Sequence, residues 1–193
     1  PEDEKLSLKD LTLKTTALLA LTAIPRVSEL AMLDIKWLIK KEDSYTFQLE
    51  VRAKHSKQGK PTPPAIFTKF ENNAKTCPIQ AIDSYIERTS PLRVSPGGEG
   101  GSTLFLCHTK PYGPASKASI RRWLLEIMTL AGINTKVYKP HSTRSAAPSK
   151  VGVPLHIILE RGNWKSKSVW EKHYYRPQHL KPKQFQNALL NKL

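Results

Sequence analysis

A histidine and an arginine stand three residues apart in this sequence, at His141 and Arg144, directly after Pro140. Proline suits the first position of a helix because its φ is preset and it lacks an N–H, and residues three apart on a helix share a face. An imidazole can transfer a proton near neutral pH, and a guanidinium binds phosphate through a planar set of donors. A phenol follows at Tyr174 or Tyr175. An isolated His-x-x-Arg is more often part of a surface helix, but together these residues predict a site that handles phosphodiesters.

The segments around this pair resemble the catalytic domain of the tyrosine recombinases. In that family an arginine lies in an Arg-x-Ser-Glu-Leu-like segment after the first helix, and a lysine lies in a β-hairpin. A His-x-x-Arg motif then opens a helix, and a histidine or tryptophan precedes a nucleophilic tyrosine. The matching positions in this chain occur in the same order and are Arg26, Lys54, His141, Arg144, Trp164 and Tyr174.

Within this family the chain is most similar to the eukaryotic branch carried by DIRS-type and Crypton-type transposons. The shared segments are Leu-Thr-Leu-Lys-Thr at 11–15, Cys-Pro at 77–78, His-Ser-Thr-Arg-Ser-Ala at 141–146, and 164–177, which ends in Tyr-Tyr-Arg-Pro. The resemblance covers nearly the whole chain. It implies a nuclear site-specific recombinase or integrase of a transposable element, which cleaves and rejoins DNA through a 3′-phosphotyrosine without a metal or other cofactor.

The resemblance implies that two arginines bind the scissile phosphate. Arg26 and Arg144 would bind it with bidentate geometry where charge accumulates in the transition state. Glu29 would brace Arg26, and the alternative for these two residues is an ordinary ion pair at a helix start. Trp164 stands where many relatives have a second histidine, and its indole N–H can still donate to a phosphate oxygen. The alternative for Trp164 is a core tryptophan.

Proton transfer is assigned to a lysine and a histidine. Lys54 would deliver a proton to the leaving 5′-oxygen as a general acid, with Lys57 or Lys60 as the alternative donor in the same turn. His141 would accept or return the proton of the nucleophile.

Tyr174 is the predicted nucleophile, and Tyr175 is the alternative. The gap from Trp164 to Tyr174 is one residue longer than in the prokaryotic and phage relatives. A second departure from the family is Pro148, which lies four residues beyond Arg144, where a helix usually continues. An interior proline kinks or ends a helix.

The charge balance of the chain points to a polyanionic partner. Lysine and arginine number 31 against 16 acidic residues, giving a formal net charge of +15 and a pI of about 9.9. Double-stranded DNA fits this excess, and the lysines predicted to contact it are Lys57, Lys60, Lys165 and Lys167. The sequence shows no long apolar run and no secretory signal, so a membrane partner is not expected. Cys77 and Cys107 lack disulfide or metal-ligand spacing and are predicted core thiols.

Hydrophobic periodicity predicts an α+β, mainly helical fold with a small antiparallel three-stranded sheet, like a tyrosine recombinase catalytic domain. Strict alternation over 45–52 predicts a half-buried strand, and 35–39 would supply another. Prolines at 61, 63 and 64 place the return strand at an edge. Helices are predicted over 6–22, from Ser28 to Leu33, and over 77–88, 117–131 and 154–160, with a glycine-rich loop over 90–102. Leu130 is among the apolar residues of the 117–131 helix assigned to the core, and Gly162 is expected to end the helix over 154–160.

The chain is expected to be one catalytic domain over 1–193, without the amino-terminal core-binding domain of the family. An apolar stripe between Phe185 and Leu193 predicts a tail helix over 178–193 that docks on a neighbouring protomer, or packs within its own chain. The resemblance implies a dimer or tetramer on DNA. The alternatives are a catalytically silent, domesticated DNA-binding module, a type IB topoisomerase and a protein-interaction domain.

Overall fold

The computed structural model describes residues 2–49, 62–93, 101–144, 154–162, 164 and 166–174. The helices are α1 (Leu8–Thr22), α2 (Val27–Leu30), α3 (Pro78–Arg93), α4 (Lys117–Leu130), α5 (Leu155–Arg161) and α6 (Lys167–His173). The strands are β1 (Leu38–Lys40), β2 (Ser44–Phe47) and β3 (Ala65–Thr68). The predicted fold class is confirmed: the chain is mainly helical, with a small antiparallel sheet.

The sheet has the strand order β1-β2-β3, with both pairs antiparallel. The predicted alternation is confirmed in β2, where Tyr45 and Phe47 are buried, and Phe47 meets Phe67 of β3 edge to face with ring centroids 6.0 Å apart. The edge position of β3 agrees with the prolines that precede it. The segment 50–61, which contains Lys54, Lys57 and Lys60, lies outside the described residues.

The strand predicted over 35–39 is wrong at its start. Ile35–Trp37 is a 3-10 turn, because the Asp34 side chain accepts a hydrogen bond from the Lys36 N–H at 2.8 Å and so caps a turn. β1 begins only at Leu38. The sheet is therefore shorter on this side than the sequence pattern indicated.

Helices α1, α3 and α4 form the main core with the sheet. α1 begins at Leu8 rather than residue 6, since the Ser7 hydroxyl accepts a hydrogen bond from the Asp10 N–H at 3.0 Å. Thr12 and Thr16 are fully buried in α1, and each hydroxyl donates to the carbonyl four residues earlier at 2.7 Å. These bonds satisfy polar groups that would otherwise oppose burial.

Two further sequence predictions need correction in the helices. α3 continues to Arg93, five residues beyond its predicted end, so the predicted loop over 90–102 begins too early. The Arg93 guanidinium donates to the carbonyls of Thr103 at 2.5 Å and Leu104 at 2.6 Å, which ties the end of the helix to the next segment. In α4, Leu130 was assigned to the core but is 76% exposed.

The two predicted core thiols differ in burial. Cys77 is buried, as predicted, and its sulfur accepts a hydrogen bond from the Phe70 N–H at 3.4 Å. Cys107 is only half-buried, so its assignment to the core is wrong in part.

A second, smaller apolar cluster packs around α5 and α6. Its buried members are Ile24, Ile158, Trp164 and Trp170, and Tyr174 packs against them. Ile24 precedes α2, so this cluster joins the start of α2 to α5 and α6. α2 begins at Val27 and not at Ser28 as predicted, and Arg26 is its capping residue.

We expect Phe47→Ala to lower the free energy of unfolding by about 3–5 kcal/mol, because it leaves a cavity at the fully buried contact between β2 and β3. Phe70→Ala is the matched control, since Phe70 is 45% exposed and its truncation should cost about 1 kcal/mol or less. Urea denaturation measures both variants. Equal losses in the two variants would contradict this view of the core.

Candidate active site

The predicted base and nucleophile are in hydrogen-bond contact. Nε2 of His141 and the phenolic oxygen of Tyr174 lie 2.9 Å apart, and the two ring centroids are 5.1 Å apart. Pro140 begins the 3-10 turn Pro140–Ser142 as predicted, and Thr143 and Arg144 continue in helical conformation. Tyr174 caps the carboxyl end of α6, where its N–H donates to the Trp170 carbonyl at 2.8 Å. A phenol in this position can donate its proton to a neutral imidazole.

Arg144 is a buried cation, only 1% exposed. Its Nη2 donates to the carbonyl of Gly162 at 2.5 Å. Its guanidinium carbon lies 4.9 Å from the ring centroid of Trp164 and 5.7 Å from that of Tyr174. Within the described residues, Nε and Nη1 of Arg144 make no hydrogen bond. The arginine therefore has unused donors beside the phenol.

Glu29 lies between the two predicted phosphate-binding arginines. Its Oε1 is 2.5 Å from Nη1 of Arg26, and its Oε2 accepts the Arg26 backbone N–H at 2.6 Å. The same Oε2 lies 3.7 Å from Nη1 of Arg144. The sequence left two interpretations of Glu29, support of Arg26 or an ordinary ion pair at a helix start. Both are compatible with this geometry. Two guanidinium groups share one carboxylate, which leaves a local positive charge.

This environment changes the proton affinity of His141. Burial lowers the pKa of its imidazole below the ordinary value of 6.5, and the nearby charges of Arg144 and Arg26 lower that pKa further. The neutral imidazole is therefore favoured near neutral pH. Burial, followed by the charge of Arg26, also lowers the pKa of Arg144, while Glu29 and Tyr174 oppose that change.

Trp164 is both a core residue and a neighbour of the site. Its ring is buried in the second apolar cluster, and its centroid lies 4.8 Å from that of Tyr174. The indole Nε1 is buried without a hydrogen-bond partner among the described residues. Both interpretations of Trp164 from the sequence are thus compatible with its position.

Gly162 is a site residue that sequence reasoning used only as a helix end. It ends α5, and its carbonyl accepts the hydrogen bond from Arg144. A Cβ at this position would lie 1.8 Å from the Trp164 ring. The close approach of this backbone to the indole therefore requires glycine. A glycine followed two residues later by tryptophan is the only sequence signal of this contact.

A basic cleft of about 290 Å³ opens beside His141. It lies between α2, the first turns of α4 and the segment before the 3-10 turn. The residues that line it are Arg26, Val27, Ser28, Lys117, Arg121, Lys139, Pro140 and His141. Sequence reasoning missed Lys117, Arg121 and Lys139, although the spacing of the first two places them on one helix face.

Most of the remaining predicted site residues are not among those that the structure describes. Lys54, Lys57 and Lys60, together with Lys165, Tyr175 and Pro148, lie outside the described residues, and so does the tail over 178–193. Lys167 is exposed at the start of α6 and lies 3.6 Å from Glu171. The roles assigned to all of these residues stay predictions.

The described part of the chain offers neither a metal site nor a bilayer span. Nowhere in it do three or more His, Cys, Asp or Glu side chains group closely enough to hold a metal ion. None of its helices combines the length and apolar character that crossing a membrane requires.

Three solved structures that share this fold are of recombinases. The crystal structure of XerA recombinase matches 96% of this chain with a TM-score of 0.60 at 17% identity. XerH site-specific recombinase bound to difH substrate, in a pre-cleavage complex, matches 94% with a TM-score of 0.60 at 14% identity. Its post-cleavage complex on a palindromic difH substrate matches 94% with a TM-score of 0.57 at 12% identity. The fold is the one seen in these recombinases.

The chain accounts for only part of the length of these recombinases. It covers 62% of the XerA chain and 46% and 50% of the two XerH chains. A comparison with protein-family models and with curated protein sequences gave no match.

We expect Gly162→Ala to lower the free energy of unfolding by about 1–3 kcal/mol, because the new methyl group must displace the Trp164 ring. The displacement should also change the near-ultraviolet circular dichroism of the aromatic residues. Gly113→Ala is the control, because no atom lies within 4 Å of a Cβ built there. An unchanged spectrum and stability for Gly162→Ala would contradict the contact.

The lowered pKa of His141 predicts a pH-dependent stability. Between its folded pKa and the ordinary value of 6.5, the unfolded chain binds more protons at this position, so stability is lost as the pH falls through that interval. Chemical denaturation from about pH 8 to about pH 5 should therefore show a steeper fall for the wild type than for His141→Gln. Parallel curves for the two proteins would refute the assignment.

Proposed function

We propose that this chain is the catalytic domain of a tyrosine recombinase, which cleaves and rejoins double-stranded DNA through a 3′-phosphotyrosine. The observation that carries the proposal is the 2.9 Å contact between His141 and Tyr174 beside the buried Arg144. A phenol, a base with a lowered pKa and a guanidinium are the groups that phosphoryl transfer to tyrosine needs. The likeness in fold to XerA and XerH supports the same activity.

The charge of the site favours a phosphate ligand. Arg26 and Arg144 share only Glu29, and Arg144 keeps two buried nitrogens without a hydrogen-bond partner among the described residues. Uncompensated donors and charge in a buried position are costly, and an anion would satisfy them. Trp164 adds a third unused donor, its indole N–H, at the same place.

In the proposed cleavage step, the Tyr174 oxygen forms a bond to phosphorus while the bond from phosphorus to the 5′-oxygen breaks. His141 accepts the phenolic proton, and a general acid, proposed to be Lys54, supplies a proton to the 5′-oxygen. Arg26 and Arg144 stabilise the nonbridging oxygens. Religation is the reverse sequence, so the energy of the phosphodiester is conserved in the phosphotyrosine.

Access to Arg144 depends on Tyr174. The rings of Tyr174 and Trp164 cover the guanidinium, which is almost fully buried, whereas the side chain of Arg26 is 42% exposed. A phosphate therefore meets Arg26 first and reaches Arg144 when the phenol moves aside. The same movement would separate the phenol from the arginine and direct it towards phosphorus.

The biological setting is proposed from the sequence resemblance. We propose that the chain comes from a transposable element of the DIRS or Crypton type, acts in the nucleus, and works as a dimer or tetramer on DNA. The XerH structures, which hold that protein on its difH substrate, support a DNA-bound form. The resemblance also implies an amino-terminal domain that closes around DNA.

We expect the wild-type protein to form a covalent adduct when it is incubated with nicked or supercoiled DNA and then rapidly denatured. Tyr174→Phe should abolish the adduct, because phenylalanine has no nucleophilic oxygen, and Tyr175→Phe should leave it intact. Nuclease digestion of the adduct should leave a phosphate joined to Tyr174, which peptide mass analysis can locate.

The other outcomes separate the alternatives. Loss of the adduct in Tyr175→Phe alone would move the nucleophile to Tyr175 and keep the reaction. Salt-sensitive DNA binding without an adduct, also in a protein joined to its amino-terminal domain, would favour the silent DNA-binding module. Relaxation of supercoiled DNA without strand exchange would favour the topoisomerase.

A further inference from the structure

We propose that the basic cleft beside His141 binds a second phosphate of the DNA backbone, on the cleaved strand and next to the scissile phosphate. This proposal rests on the proposed function and extends it. Lys117, Arg121 and Lys139 are the residues that the proposal adds to the site. None of them is among the groups that the proposed chemistry uses.

The lining of the cleft is cationic. Four arginine or lysine side chains and His141 contribute to it, and none of the described residues that line it carries a carboxylate. Phosphate backbones are bound by such groups, and each neutralised phosphate contact releases counterions. The remaining lining residues are Val27, Ser28 and Pro140, which do not counter the charge.

The three cations that the proposal adds differ from Arg26, which pairs with Glu29, in having no acidic partner among the described residues. Within the described residues, neither Lys117 nor Arg121 is in an ion pair. Lys139 donates to the carbonyl of Thr135 at 2.8 Å, which leaves its charge uncompensated. By contrast, Lys9 meets Glu126 of α4 at 2.5 Å. The unpaired charge is thus on the side of α4 that faces the candidate site.

A rigid element holds these side chains in place. Lys117 and Arg121 are one turn apart on α4, and both are exposed. The opposite face of the same turns is anchored in the main core by Ile120 and Trp123, which are almost fully buried. α4 also packs against α2, which carries Arg26 and Glu29 into the site. The two sets of cations therefore keep a fixed spacing.

The cleft is continuous with the candidate active site and suits one phosphodiester. Arg26 and His141 line the cleft and also belong to the site, so a strand whose phosphate lies on Arg26 has a continuous basic path along Lys117 and Arg121. Its volume is about 290 Å³, and the cleft is partly open to solvent, so a phosphate and part of its sugar can enter.

Salt-dependent binding tests whether the cleft contacts phosphate. In a Tyr174→Phe background, which prevents covalent trapping, a fluorescent duplex is titrated at several salt concentrations. Lys117→Gln combined with Arg121→Gln should reduce the slope of log affinity against log salt by about 0.9, because the cleft neutralises one phosphate. The charge-matched control is Lys5→Gln combined with Lys9→Gln, which changes residues near α1 and should leave the slope unchanged.

Neutralising single phosphates tests where the contact lies. A methylphosphonate replaces one charged oxygen with a methyl group, and it is placed in turn at each phosphate near the cleavage position mapped from the adduct. Beside the scissile phosphate it should weaken binding to the Tyr174→Phe protein but produce no further loss with Lys117→Gln/Arg121→Gln added. Equal losses in both proteins at every position would overturn the proposal.

The two proposals fail in different ways. A covalent adduct with the wild type, together with an unchanged salt slope for the cleft variant, would overturn the cleft proposal and keep the recombinase function. A reduced slope without any adduct would keep the phosphate contact and remove the chemistry. An equal reduction in the control variant would show that only overall charge matters, which also overturns the cleft proposal.

Discussion

The burial of the Arg144 guanidinium is the constraint on which the rest of the site depends. A buried cation is stable only where hydrogen bonds and opposite charge compensate for lost hydration. Here the compensation comes from the Gly162 carbonyl, the Glu29 carboxylate and the faces of two aromatic rings. These groups belong to α2, to the end of α5 and to the residues around α6. One cation therefore holds together segments that lie far apart in the sequence.

The same cations also set the behaviour of His141. Their charges add to burial in lowering its pKa, so the imidazole is held neutral and able to accept a proton. In the proposed mechanism a bound phosphate would bring negative charge to the same place and raise that pKa again. The imidazole would then become a stronger base when the substrate is present. Base strength and substrate binding would thus be coupled through Arg26 and Arg144.

Sequence patterns predicted the parts of the fold that depend on local order. Alternation identified β2, prolines placed β3 at an edge, and Pro140 opened the turn that carries His141. Predictions were wrong where longer-range or competing contacts decide the outcome. Asp34 caps a turn in place of a strand start, and Arg93 prolongs α3 through bonds to Thr103 and Leu104.

The site also has parts that could be predicted from the sequence and parts that could not. The order of motifs predicted which residues meet, because the resemblance supplied their relation in space. The structure brings Arg26, His141, Arg144 and Tyr174 together. The basic cleft could not be predicted, because Lys117 and Arg121 reach it only when α4 packs beside α2. Gly162 was recognised as a helix end, but its contact with Trp164 exists only in the folded chain.

The attachment of Tyr174 suits the movement that the proposed mechanism asks of it. The described segment from α5 to Tyr174 contacts the rest through the apolar cluster around Ile24 and through Arg144, which bonds to Gly162 and lies against the rings of Trp164 and Tyr174. Further contacts are the bond from Arg161 to the Ile66 carbonyl at 3.1 Å and the contact of Tyr174 with His141. Elements that move in function come from the less stable parts of a fold. Arg26 and the α4 side of the cleft instead lie on elements packed against the main core. In the proposed mechanism this division would give the phosphates a surface on the core and support the phenol separately, which suits a reversible attack by Tyr174.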